Sequence, residues 1–211
     1  MAGQPSRRRK EARPAELLDA ALDVFAEKGF TAARMEDIAA RAGTAKGTIY
    51  LYFPSKEAVF QALVRAAIVP NLERAEAVAD RHEGPVGPLV IRLMALLGDL
   101  LRDTRLAVLP RLIIAEIHRF PDLTQFYKAT VVDRGLALIA RMHRYGVERG
   151  EFRPGDSETV ARLVVAPVLL MAIWRTVFAP HDPHPFDPGP VLVAHAETLL
   201  RGLAPDPVER P

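Results

Sequence analysis

The chain has no cysteine, which removes disulfides, thiolate metal sites and cysteine nucleophiles together and is compatible with a reducing compartment. It lacks a long hydrophobic run as well. The longest uncharged apolar stretch, Leu163 to Trp174, is twelve residues, contains Pro167 and is bounded by Arg162 and Arg175. A bilayer span needs roughly 20. Arg7, Arg8, Arg9 and Lys10 cluster at the start with no apolar segment behind them, so no secretory leader is read there. These features predict a cytoplasmic protein without a membrane partner. The sequence carries no glycine-rich phosphate loop, nucleophile elbow or helical His-Glu-x-x-His, so neither an enzyme nor a bound cofactor is expected. His181 and His184 have a spacing that metals use, but no ordered carboxylates accompany them. They read as loop histidines, and no metal is expected.

What is present is a 211-residue chain, nearly half apolar, long enough to bury a full core. Ten Lys and Arg face eight Asp and Glu in residues 1–60, while the rest of the chain is balanced, so the small basic surplus is N-terminal. That surplus fits a polyanionic partner or a merely solvated surface equally well. Nearly every periodic stretch has the 3.6-residue period and none alternates like a strand flanked by hairpin turns, so the fold class is all-α.

Leu17, Leu18, Ala21, Leu22 and Phe25 form a stripe behind Pro14, a first-turn residue, and Gly29 is placed to stop that helix. Two short helices follow, at about 34–42 and 45–51, with Gly43 between them. Ser55 caps a longer helix with Val59, Phe60, Leu63 and Ala67 inward, and Pro70 should interrupt it. Beyond a break at 82–88 come an amphipathic helix from Leu89, a helix at 106–120 with Pro110 inside, and a long helix at 122–147 closed by Gly150. Residues 160–178 are apolar nearly all round. After a proline-rich loop at 180–190, a last helix carries Leu192, Ala196, Leu199 and Leu203. The predicted organisation is a flexible basic arm at 1–11, a helical head at 12–70, a C-terminal helical bundle at 71–203, and a flexible tail at 204–211.

The informative window runs from Arg34 to Phe53. Two short helices crossing steeply need a small residue at the contact, a turn residue tolerant of positive φ, and an apolar anchor in each helix. Ala39, Gly43, Ile38 and Ile49 meet these needs, although a generic three-helix bundle can show the same pattern. The flanking residues decide. Gly29-Phe30, Ile38-Ala39-Ala40-Arg41-Ala42-Gly43, Lys46-Gly47-Thr48-Ile49-Tyr50 and Tyr52-Phe53-Pro54-Ser55-Lys56-Glu57-Ala58-Val59-Phe60 closely resemble the TetR/AcrR regulator family. The resemblance covers about residues 12–65 and implies a three-helix DNA-binding head at 12–70, with its helix-turn-helix at about 34–53, followed by a C-terminal helical bundle for ligand binding and dimerisation at 71–203. It departs at Thr44, where a branched apolar residue is usual, and at Ala45, where Ser or Thr is usual, so Thr44 is the candidate cap of the second short helix.

A recognition helix of two turns presents its N-terminal half to the major groove, which places Thr44, Ala45, Lys46, Gly47 and Thr48 near base edges and phosphates, Lys46 being the candidate base reader. Gly47 permits close approach to the duplex, or else only weakens the helix. Tyr50 and Tyr52 either donate hydroxyls to phosphates or pack as aromatics; the resemblance makes both phosphate contacts. It assigns the same role to Lys56, in the first turn of the next helix. Arg34 either reaches a phosphate or is solvated, and the basic arm either enters the minor groove or solubilises the chain.

The resemblance further implies a small-molecule effector that acts among the later helices to lower affinity for a double-stranded operator, with the Pro70 helix as lever. Glu116, His118, Tyr127 and Trp174 are the candidate polar or stacking groups of such a pocket. One short recognition helix reads too few base pairs, so a homodimer on a palindromic operator is expected. Its interface is placed on the last two helices, at Leu170, Ile173, Val177, Leu192, Ala196 and Leu199. The competing reading is a helical ligand-binding or scaffolding protein whose helix-turn-helix no longer binds DNA.

Overall fold

A computed structural model describes residues 6–102, 108–116, 119–184 and 187–205, with residues 6–13, 110, 111, 114, 115, 176 and 180 described through their backbone alone. Every regular element among the described residues is helical. The head comprises α1 (Ser6–Ala32), α2 (Met35–Arg41), α3 (Lys46–Tyr50) and α4 (Lys56–Ala67). The body follows with α5 (Val69–Asp80), α6 (Val86–Arg102), α7 (Val108–Ala115) and α8 (Pro121–Tyr127). It ends with α9 (Asp133–Glu148), α10 (Ser157–Ile173) and α11 (Pro188–Leu203).

Local chemistry explains most boundaries. α1 breaks at Gly29, whose φ of 75° and ψ of 171° lie in a region closed to residues with a Cβ. The Ser55 hydroxyl accepts the Ala58 N–H at 3.2 Å and caps α4. Pro70 sits in the first turn of α5, where a missing N–H costs nothing, and the chain bends at Ile68 between α4 and α5. Asp156 caps α10 and Asp187 caps α11, each through its carboxylate.

Three expectations differ. Helix α1 begins at Ser6, so residues 6–11 continue the first helix instead of forming a separate arm, and Pro14 lies inside it. The long helix expected at 122–147 is α8 and α9 joined by a π-helical turn, Lys128–Val132, and a second π turn, Trp174–Phe178, extends α10. Helix α6 starts at Val86, which places Pro88 in its first turn.

Apolar burial forms two cores. The first gathers Leu17, Phe25 and Phe30 from α1 with Ile38, Ile49 and Phe60, and it also takes in Val108, Leu109 and Leu112 of α7 and Leu123 of α8. Phe30 is its centre, with ring centroids 5.4 Å from Phe25, 5.7 Å from Phe60 and 4.9 Å from Phe120. Phe25, Phe30 and Phe60, all fully buried, each contribute about 1.5–3 kcal/mol through burial alone. The second core joins α6, α9, α10 and α11 around Val86, Met94, Ala140, Ala161 and Leu192. Two helices beyond the expected head boundary at 70 therefore complete the core of the head.

Candidate DNA interface and effector cavity

Helix α2 anchors through Met35, Ile38 and Ala39, and α3 through Ile49, all buried. The turn between them uses Gly43 at φ 63°. This seating turns the opposite face of α3 outward: Ala45, Lys46 and Gly47 are exposed and Thr48 is half-buried. A Cβ added at Gly47 would meet nothing within 4 Å, so its lack of a side chain serves no internal packing. Tyr50 is 44 % exposed and Leu51, which the pattern did not single out, 82 %. Tyr52 is half-buried against the head core.

Thr44 does not cap α3. The N-cap is Ala45 in extended conformation, with no side-chain hydrogen bond, so the family's capping oxygen is lost without replacement. Lys46 Nζ lies 2.7 Å from Glu36 Oε1 across the two short helices. The hydrogen bond from Lys46 holds the Glu36 carboxyl below its ordinary pKa, and the same bond raises that of Lys46. Lys46 must exchange this partner to read a base. Arg34 is exposed at the N-cap of α2, its N–H donating to Asp37 Oδ2 at 3.1 Å.

Lys56 is not placed to grip a phosphate. Its ammonium donates to the carbonyls of Phe30 at 2.6 Å, Thr31 at 3.2 Å and Ala33 at 3.0 Å, and lies 4.6 Å from the Phe30 ring centroid. An ammonium has three N–H donors, and three carbonyls take them. Burial lowers the Lys56 pKa, with Glu57 and Glu116 opposing that shift.

Glu116 occupies the other side of this turn. Its carboxylate accepts the N–H of Phe30 at 3.2 Å and that of Thr31 at 2.6 Å. A Cβ at Gly29 would collide with the same carboxylate. Glu116 therefore ties the end of α7 to the end of α1 and is not a pocket residue.

An apolar cavity lies among α5, α6, α9 and α10. It measures about 280 Å³ and is walled by side chains such as Leu72, Leu97, Leu136, Val165 and Ala172. Among the described residues, Asn71 and Tyr127 are its only polar side chains and no charged one lines it. Burial pushes the Tyr127 phenol up to about 12, so it stays neutral and available as a donor. Of the described candidate pocket residues, Tyr127 alone lines this space. Trp174 packs instead on Phe178 at 5.2 Å, and His118 lies outside the described residues. Asn71 was missed because the sequence gives no sign that α5 turns it inward.

The expected dimer face divides. Leu170, 51 % exposed, and Val177 are open, as are the unanticipated Leu163, Phe178 and Val191. Ile173 is half-buried. Leu192 and Ala196 are fully buried within the chain's own second core, where α11 packs against α6, and Leu199 packs against the same core. The apolar stripe of α11 serves the protomer, which removes Leu192 and Ala196 from a subunit interface.

An exposed recognition helix on a head whose core is completed by helices of a cavity-bearing body defines a ligand-type DNA-binding transcription regulator. The chain belongs to the TetR family: residues 17–63 match the model described as bacterial regulatory proteins, tetR family, and residues 87–184 that of the tetracyclin repressor-like C-terminal domain. It is 28 % identical over 159 residues to the fatty acid metabolism regulator protein of Bacillus subtilis, covering 74 % of this chain and 80 % of that one. It is 29 % identical over 174 residues to the transcriptional repressor BepR of Brucella suis, covering 76 % and 81 %. Among solved structures, the SmeT–triclosan complex is similar at TM-score 0.76 and 26 % identity, with 95 % of each chain covered.

Proposed function

We propose that the chain is a cytoplasmic homodimeric repressor that sets two α3 helices into successive major grooves of a palindromic operator and is released when a largely apolar effector fills the cavity. The observation that carries this reading is the outward face of α3, with Ala45, Lys46 and Gly47 open while Ile49 holds the helix from behind. Repression is favoured by two similar proteins, BepR, named a repressor, and SmeT, the repressor of a Stenotrophomonas maltophilia multidrug efflux pump. The triclosan complex of SmeT supports a small apolar effector. The open side chains on α10 and α11, Leu163, Leu170, Val177, Phe178 and Val191, support the partner face.

Release requires a path from cavity to head, and two are built in. Helix α5 lines the cavity and meets α4 at the Ile68 bend; α7 packs on the cavity-lining α10, and Glu116 joins it to the turn after α1. The test is selection of bound fragments from the source genome, followed by mobility shifts on the selected site and sedimentation of the free protein. A palindromic site bound by a dimer is expected. A monomer at micromolar concentration, or equal binding to scrambled DNA, defeats the reading.

A further inference from the structure

A second cavity of about 240 Å³ adjoins the first, between α5, α6 and α9, and the two share Ala75, Leu93, Leu96 and Leu138 as walls. It reaches the surface, since Val78 and Leu96 in its lining are 47 % and 41 % exposed. Among the described residues its only polar side chains are Arg74 on α5 and Arg92 on α6. Among the described residues neither guanidinium forms an ion pair within 4.0 Å, and Arg74 reaches only the Asn71 side chain, at 3.4 Å. The carboxylates of α5 are drawn elsewhere. Glu76 pairs with Arg134 at 2.6 Å, Asp80 pairs with Arg141 at 3.3 Å, and Glu73 acts on Arg134. Two cationic forks thus stand at the mouth of an open apolar cavity that shares four of its walls with the inner cavity of Asn71 and Tyr127.

We propose that the effector is an amphiphile whose alkyl chain fills the inner cavity and whose anionic head rests against Arg74 and Arg92. This rests on the effector-site reading above and narrows its ligand class. The inner walls hold no cation, so an anion carried to the centre would be buried unpaired and strongly disfavoured. At the mouth the same anion meets two guanidiniums whose planar donors match carboxylate and phosphate oxygens. A neutral apolar ligand would gain the walls and leave both forks solvated. A free long-chain carboxylate and a phosphate-bearing acyl thioester share this chemistry.

The test titrates the full-length dimer calorimetrically with dodecanoate, dodecanol and dodecanoyl-CoA, all kept below micelle formation. Dodecanoate is expected to bind about tenfold more tightly than dodecanol, the scale of two charge-assisted contacts at a partly exposed site. The double variant Arg74→Ala/Arg92→Ala should abolish that preference and leave dodecanol binding within about twofold, since neither exposed side chain supports the core. Whichever of dodecanoate and dodecanoyl-CoA depends more on the arginines identifies the natural source, and either supports the proposal. Equal wild-type affinity for dodecanoate and dodecanol, or a preference that survives in the double variant, overturns the anionic head while the effector cavity stands. Failure of all three to bind overturns both.

Discussion

Glu116 and Lys56 hold the same stretch of backbone by opposite groups: the carboxylate takes the N–H groups of Phe30 and Thr31, and the ammonium takes the carbonyls of Phe30, Thr31 and Ala33. A carboxylate 86 positions away and a lysine 26 positions away thereby fix the turn that ends α1. Removing either should destabilise the protein by about 1–2 kcal/mol, the range for charge-assisted bonds at a half-buried site. Because both act on one turn, their losses should not add. A double-mutant cycle of Glu116→Ala and Lys56→Ala by urea denaturation is expected to give an interaction energy of about 0.5 kcal/mol or more. Strict additivity would show that the two grips are independent.

The same geometry separates Lys56 from the DNA. Each lysine that neutralises a phosphate contributes about one unit to the slope of log affinity against log salt. Lys56→Ala should lower the melting temperature yet leave that slope unchanged when binding is measured well below the transition. Tyr50→Phe, which removes a neutral hydroxyl from an open position, should weaken operator binding about three- to tenfold, again with no change of slope. A slope reduced by a full unit in Lys56→Ala would return that lysine to the phosphate backbone.

Lys46 is engaged by Glu36 before DNA arrives. Glu36→Gln frees the ammonium and removes a carboxylate from the groove-facing side, so affinity for operator and for scrambled DNA should both rise, by about two- to fivefold at low salt. Lys46→Ala should instead change which base is preferred opposite α3. Unchanged binding of Glu36→Gln to both DNAs would mean that Lys46 takes no part in the contact.

Gly47 gives the cleanest separation of stability from function. A Cβ there meets nothing within 4 Å, and α3 is helical at that position, so Gly47→Ala should stabilise the protein by about 0.5–1 kcal/mol through helix propensity. The added methyl would stand between α3 and the duplex. Operator affinity should therefore fall about tenfold or more while the melting temperature holds or rises. Full operator binding by Gly47→Ala would place the duplex away from this face.

What the sequence disclosed follows the range of the interactions involved. Gly29, Gly43 and Ser55 act on backbone within a few residues, so the head was readable from local chemistry. Glu116 looked like a pocket acid because nothing near it in sequence names its partners, which lie 85 and 86 positions earlier. An amphipathic stripe reports that a face is covered, not by what. Leu192 and Ala196 have the apolar spacing of an interface and are covered by the chain's own α6. Arg74 and Arg92 are 18 positions apart on separate helices, and each alone reads as a solvated arginine; only the packing of α5 and α6 on α9 brings them to one opening.

His143 should make the body sensitive to mild acid. It is 2 % exposed on α9, its Nδ1 is 2.9 Å from Ser157 Oγ, and its ring stacks on Phe152. Burial, assisted by the charge of Arg144 and opposed by Asp156, lowers its pKa below the ordinary 6.5. The unfolded chain then takes up a proton before the folded one as pH falls. Stability is fully present above about pH 6.5, declines as pH drops from there toward the lowered folded value, and levels off below it. The carboxylates held by arginine, lysine or backbone donors, among them Glu36, Glu76 and Asp156, are also lowered, so their contributions disappear only in stronger acid. The interval from about pH 6.5 to 5 consequently isolates the histidine. His143→Gln keeps a hydrogen-bonding amide beside Ser157 and cannot titrate. Urea midpoints of the wild type should fall across that interval while those of His143→Gln stay nearly flat; parallel curves would show that the imidazole is protonated as readily in the folded state as in the unfolded one.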